Sequence, residues 1–181
     1  MSKTVVLTGV GRDRVGIVAA VADRLYKLGC NLLDSSMTLL RGEFALILMV
    51  QLPDEQSIGS LTEQLTDVEE SLGLSIHLRE LSQQELAEQS GQGSPYLISV
   101  YGADKPGIVS GITRAIADLN INITDVQTKY SDSGEKQIFV MILEVNAPEE
   151  IPSKSVEASL YQIGKGLNVD ISVQQLDVYK L

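Results

Sequence analysis

Gly11-Arg12-Asp13-Arg14-Val15-Gly16-Ile17-Val18 and Gly102-Ala103-Asp104-Lys105-Pro106-Gly107-Ile108-Val109 lie 91 positions apart in one chain. The offset persists through Leu28/Leu119, Asn31/Asn122 and Asp34/Asp125, with 8 identities in 24 positions between 11–34 and 102–125. It then becomes 95, pairing Phe44 with Phe139, Pro53 with Pro148, Ile76 with Ile171 and Leu81 with Leu176. The first copy turns at Arg41-Gly42, where the second uses a longer Ser131–Lys136 turn. Duplication tolerates an insertion at such a tip, because few buried groups depend on it. The repeat divides the 181 residues into copies at 1–81 and 95–181. The linker, 82–94, is polar first, with room for a short helical turn, and then Gly/Ser-rich.

Each copy reads as the same order of elements. Thr4–Thr8 and Tyr96–Tyr101 are rich in β-branched or aromatic residues, which predicts strands followed by glycine-bearing turns. Val18, Val21, Ala22, Leu25 and Leu28 recur at helical spacing, as do Val109, Ile112, Ile116 and Leu119. Asp13 and Asp104 are placed as helix N-caps, Pro106 suits a first helical turn, and Gly29 and Asn120 suit the left-handed position past the helix end. Asn31–Leu40 and its counterpart from Asn122 alternate as strands with one wet face. Phe44–Val50 and Phe139–Leu143 are apolar on both sides. The stripes Ile58, Leu61, Leu65, Val68, Leu72 and Val156, Leu160, Ile163, Leu167 predict second helices, and alternation over 74–79 and 168–173 predicts last strands.

The sum is an α+β fold: βαββαβ twice, each copy a four-stranded antiparallel sheet with both helices on one face, the ferredoxin-like arrangement. The third strand's second apolar face then needs cover from the other copy or another subunit, so a homo-oligomer is expected.

Composition narrows the function classes. There are 14 Lys+Arg and 24 Asp+Glu, a net charge of −10, divided as 7 basic against 13 acidic in 1–91 and 7 against 11 in 92–181. Neither half offers the basic surface that captures nucleic acid or an anionic membrane. One cysteine, Cys30, and one histidine, His77, leave no disulfide framework and no zinc-ligand set. Cys30 reads as a small buried hydrophobe and His77 as an exposed strand residue, so no nucleophile–base pair is expected. Gly9-Val10-Gly11 lacks the third glycine of a dinucleotide fingerprint. The longest apolar run, Phe44–Val50, is far short of a bilayer span, and no secretory pattern opens the chain. A cytoplasmic, non-enzymatic protein without a cofactor or metal is the expectation.

The βαββαβ unit opening with Gly-x-Asp-Arg/Lys-x-Gly-Ile-Val, with Asn three residues past the helical Leu, resembles the ACT domain, a regulatory module that often binds amino acids. The second copy follows the pattern more closely; the first has Val15 where proline is usual. The run Asn31–Met37 with Leu40-Arg41-Gly42-Glu43-Phe44-Ala45, together with the tandem layout, resembles the glycine cleavage system transcriptional repressor family. That resemblance implies binding to a LysR-type activator instead of DNA, with glycine or another amino acid as effector. It also implies a ligand site from the first strand–helix loop and the start of the second strand, at a domain or subunit interface. The candidates are Gly11, Asp13, Arg14, Val15, Gly16, Ile17 and Asn31, and in the second copy Asp104, Lys105, Pro106, Gly107, Ile108 and Asn122. Helix-start N–H groups would face a carboxylate, the aspartates would face an ammonium, and the asparagines could address either. Each has a plainer role available: caps for the aspartates, tight packing for the glycines, turns for the asparagines, solvation for Arg14 and Lys105. A ligand-free interaction module and a regulatory subunit of an amino-acid-biosynthetic enzyme are the alternative functions.

Overall fold

The computed structural model describes residues 3–87, 93–132 and 137–176. The chain forms two compact units, Met1–Gln89 and Ser90–Leu181. The tip of the longer turn, 133–136, and part of the Gly/Ser stretch lie outside the described residues.

In the first unit the order is β1 (Thr4–Arg12), α1 (Ile17–Lys27), β2 (Asn31–Leu40), β3 (Glu43–Gln51), α2 (Ile58–Leu72) and β4 (Leu74–Glu80). The short α3 (Gln83–Ala87) follows. The second unit repeats it as β5 (Ser94–Ala103), α4 (Ile108–Asp118), β6 (Asn122–Asp132), β7 (Gln137–Ala147), α5 (Ser153–Leu167) and β8 (Val169–Gln175). The sheets run β2-β3-β1-β4 and β6-β7-β5-β8, antiparallel at every pairing. This is the βαββαβ fold the periodicities predict. Ser94, assigned to the linker on composition, belongs to β5, where it pairs with Ala147.

The helix-facing side of each sheet carries the core. Val5 and Leu7 of β1 and Phe44, Leu46, Leu48 and Val50 of β3 are buried against Ile17, Val21 and Leu25 of α1 and Leu61, Leu65 and Val68 of α2. Residues four apart on a helix share a face, so α1 presents one continuous apolar stripe to the sheet. The second core repeats this with Ile98, Val100, Met141, Leu143, Ile112, Ile116, Val156 and Leu160 among its buried residues. Leu52, beyond β3, is also buried, its N–H bonded to the carbonyl of Lys3 at 2.8 Å.

Three local readings are corrected. The first strands extend past Thr8 and Tyr101, so Gly9 and Gly11 are strand residues instead of turn residues. A Cβ on Gly11 would stand 2.6 Å from the carbonyl oxygen of Gly73, and one on Gly102 would stand 2.8 Å from Val169 Cγ1. Glycine is needed there because the α2–β4 and α5–β8 junctions press onto the strand. The second correction is β2, exposed along its whole length instead of on one wet face. It is an edge strand that the helices barely cover, and a bulge between Leu32 and Asp34 interrupts its alternation. The third is Cys30, half-buried instead of buried, with burial pushing its thiol pKa up. The β2–β3 turn does use Arg41-Gly42, both with positive φ, 51° and 87°.

On the sheet face opposite the helices, Ile47 of β3 and Val10 of β1 are each 52% exposed, and in the second unit Tyr101 and Ile142 are 51% and 41% exposed.

Candidate functional site

The candidate residues fall on the loop between the first strand and first helix of each unit. In the first unit the chain leaves β1 after Arg12, and the N–H of Asp13 donates to the carbonyl of Gly42 at 2.9 Å. That bond ties the loop to the β2–β3 turn. Arg14, Val15 and Gly16 then bring the chain into α1, with Val15 fully exposed. Gly16 has φ 96° and forms the N-cap without any side-chain bond; Gly107 has φ 96° and does the same for α4. The first intrahelical bonds run from Ala20 N to Gly16 O and from Gly111 N to Gly107 O, each 2.9 Å. The N–H groups of the opening helical residues are therefore left without intrahelical acceptors, with the positive end of the peptide dipoles behind them.

This geometry corrects the expected capping. Asp13 and Asp104 lie three residues before the N-cap glycines and do not cap the helices. Pro106 precedes the N-cap instead of occupying the first turn. The chain spends those residues in a turn that only a left-handed residue can close. Close packing does not explain Gly16 or Gly107 either, since a Cβ on either would meet nothing within 4 Å. Their requirement is the backbone angle alone. Ile17 and Ile108, counted among ligand candidates, are 2% exposed and anchor the helix to the core. Gly11 belongs to the strand, as above. Arg14 reaches toward Gly73, its Nη2 at 4.0 Å from where a Cβ there would stand.

Asn31 stands apart from this cluster. It pairs with Gln51, and Gln51 pairs with Thr4, whereas the loop follows Arg12 at the other end of β1. Eight strand steps separate the two ends, roughly 25 Å. Asn122 is placed in the same way, paired with Asn146 at the Ser94–Pro95 end of β5. Within a unit, then, Asp13, Arg14, Val15 and Gly16 are together, as are Asp104, Lys105, Pro106 and Gly107. The asparagines are not with them. A ligand as small as glycine touches one group or the other within a unit.

One cavity escaped the sequence reading. In the first unit about 140 Å³ lies between α1, β2 and β3, lined by Val18, Ala22, Leu32, Ser35, Met37 and Leu48 among others. Ser35 and Ser36 are its polar residues, and among the described residues no charged side chain lines it. Its signal in sequence was the apolar Leu32 and Met37 on a strand that proved to be an edge. Among the described residues no cluster of three His, Cys, Asp or Glu side chains could hold a metal ion. No helix among them is long and apolar enough to cross a membrane.

The family described as ACT domain matches residues 3–79 and again 94–174, both βαββαβ units. The chain belongs to the ACT domain family. It is a tandem ACT-domain regulatory protein, with the regulatory character common to ACT domains. A UPF0237 protein of Methanopyrus kandleri is 35% identical over 85 residues, which is 46% of this chain and 90% of that relative. That relative is therefore about one ACT unit long. A solved structure of an unknown protein from Galdieria sulphuraria is 26% identical, with a TM-score of 0.80, covering 98% of this chain and 100% of that one. Another solved protein, provisionally named a glycine cleavage system transcriptional repressor, is 19% identical with a TM-score of 0.71, covering 98% and 99%. At that identity the likeness is one of fold, and the tandem ACT layout is shared along both whole chains.

Proposed function

We propose that this tandem ACT protein is an amino-acid-responsive regulator of gene expression, which represses a glycine cleavage operon by binding a LysR-type activator instead of DNA. One observation carries the ligand half. The same left-handed glycine, with φ 96°, opens the first helix of both units, and the N–H groups of the opening helical residues have no intrahelical acceptor. An Asp lies three residues before each, which supplies the opposite charge that a zwitterion needs beside its carboxylate site. The effector is glycine or another amino acid, with no further cofactor. The protein partner is the activator, the chain acts in the cytoplasm without catalysing a reaction, and it self-associates. The acidic charge of both halves supports an indirect effect on transcription, since phosphate contacts dominate affinity for DNA. A coupling of about 1–3 kcal/mol between effector and activator binding suffices for such control.

Calorimetric titration with the common amino acids tests the reading. Glycine should release or absorb measurable heat, and Asp13→Asn with Asp104→Asn should weaken it. Titrations without heat, together with an unchanged melting temperature at millimolar amino acid, refute the ligand half. Retardation of operator DNA by the purified protein alone refutes the indirect mechanism.

A further inference from the structure

The cavity between α1, β2 and β3 lies in one unit of a duplicated pair, and the second unit shows the same walls closed. Its floor is Leu46 and Leu48 of β3, each 4% exposed. Ser35 and Met37 of β2 pair with Leu48 and Leu46. Residues directly opposite in a sheet share a face, so both stand on the helix-facing side, toward Val18 and Ala22 of α1. The matching floor residues of the second unit, Met141 and Leu143, are 0% exposed. There Thr113 replaces Ala22 on the helix and Val126 replaces Ser35 on the strand, so a larger side chain stands over the floor from each wall. At the mouth, where Met37 is 54% exposed, the second unit has the shorter Thr128. The difference is therefore in the interior and not at the rim.

Protein interiors are close-packed, and voids larger than a water molecule are few. Water gains little in this one, because a buried water makes roughly three hydrogen bonds. Ser36 pairs with Ile47 on the opposite face of the sheet, which leaves Ser35 as the lining residue with a polar side chain turned toward α1. An apolar group fits better. The volume, about 140 Å³, is near that of an apolar cavity of roughly 150 Å³ that takes up benzene.

The position of the cavity indicates what carries that apolar group. Val18 is the second residue of α1, and its side chain forms part of the wall. Its N–H is one of the opening groups without an intrahelical acceptor, on the side toward which helical Cβ atoms tilt. One residue thus joins the cavity to the place proposed for the effector's carboxylate. Given that effector reading, we infer that the first unit takes an amino acid whose apolar side chain, about the size of leucine's, fills this cavity. The second unit, with its floor closed, does not select for one. A polar side chain of the same shape is disfavoured, since it gives up bonds to water and meets one hydroxyl in return.

Calorimetric titration of the full chain with glycine, leucine and asparagine tests this selectivity. Leucine should bind one site per chain about ten- to a hundredfold more tightly than glycine, because its side chain leaves water. Asparagine, close to leucine in shape, should bind no more tightly than glycine. Ala22→Thr with Ser35→Val, which gives the first unit the residues of the second, should remove leucine's advantage, with circular dichroism showing that the double variant is folded. Absence of heat with every amino acid overturns the effector reading and the cavity's role together. Glycine that binds as tightly as leucine, or asparagine that equals leucine, overturns the cavity's role alone. So does an advantage for leucine that survives in the folded double variant.

Discussion

Gly11 and Gly16 lie five residues apart and are glycines for opposite reasons, so the ranking of substitutions should reverse between them. At Gly11 the backbone is ordinary strand, but a Cβ would stand 2.6 Å from the Gly73 carbonyl oxygen and 2.9 Å from Leu74 Cδ2. The nearer atom is backbone, so the β1–β4 pairing at Leu74 has to part to admit any side chain. Overpacking of this kind costs about 1–3 kcal/mol for a methyl group, and more for a larger side chain. At Gly16 nothing lies within 4 Å, but φ is 96°. There the cost is left-handed backbone strain, about 1–2 kcal/mol for alanine and less for asparagine, which tolerates that region. Gly11→Asn should therefore be worse than Gly11→Ala, while Gly16→Asn should be better than Gly16→Ala. In a unit of this size each kcal/mol moves the melting temperature by roughly 4–8 °C. Urea unfolding of the four variants, followed by far-ultraviolet circular dichroism, measures the differences. The same Ala/Asn ranking at both positions refutes the separation of steric from conformational need. Gly102 and Gly107 provide the replicate in the second unit, where the Cβ at Gly102 meets Val169 Cγ1 at 2.8 Å and Gly107 again has open space.

Two further outcomes concern polar contacts. Glu85 accepts from the N–H of Ser82 at 2.8 Å while its own N–H donates to Ser82 Oγ at 3.2 Å, a capping box that opens α3. The Ser82 backbone N–H, the Arg79 guanidinium and the Ser82 hydroxyl together hold the Glu85 pKa down at about 2, below its ordinary 4.5. A lowered carboxylate pKa gives stability that is complete above 4.5 and is lost as pH falls through about 2. Protection of the amides over 82–87, taken relative to the intrinsic exchange rate, should therefore fall in that window, and Glu85→Gln should lack that protection throughout it; protection that is flat between pH 5 and 2 contradicts the assignment. Arg24 donates to the Gln64 carbonyl at 2.9 Å and pairs with Asp67, fastening α1 to α2. Arg24→Ala should destabilise the first unit by about 1 kcal/mol, mostly through the carbonyl bond, because Asp67 is well exposed. Loss of stability that vanishes entirely in 1 M salt would assign the effect to the ion pair instead.

Periodicity and duplication made most of the fold legible in advance. Apolar spacing in α1, α2 and their counterparts reports which face meets the sheet, since burial selects the residues four apart that form the stripe. The turns were legible where backbone angle selects residue type: Gly29 and Asn120 take the left-handed position past the first helices, with φ 72° and 56°. Helix entry was not legible, because an aspartate before a helical stripe is the ordinary capping signal and nothing local distinguishes it from a loop residue. The candidate site was legible as a motif but not as a place. Asp13 and Asn31 are both near the α1 stripe in sequence, yet α1 runs back along the sheet and leaves them at opposite ends of β1.

By itself the sequence determines the number of units, their βαββαβ order and their acidic character, because each follows from local spacing or summed charge. Tertiary structure alone decides two things: that Gly11 is a packing glycine and Gly16 a conformational one, and that β2 is exposed along its length. Those depend on which atoms of distant segments meet across the sheet. Strand order sets that pairing, and neither periodicity nor residue type records it.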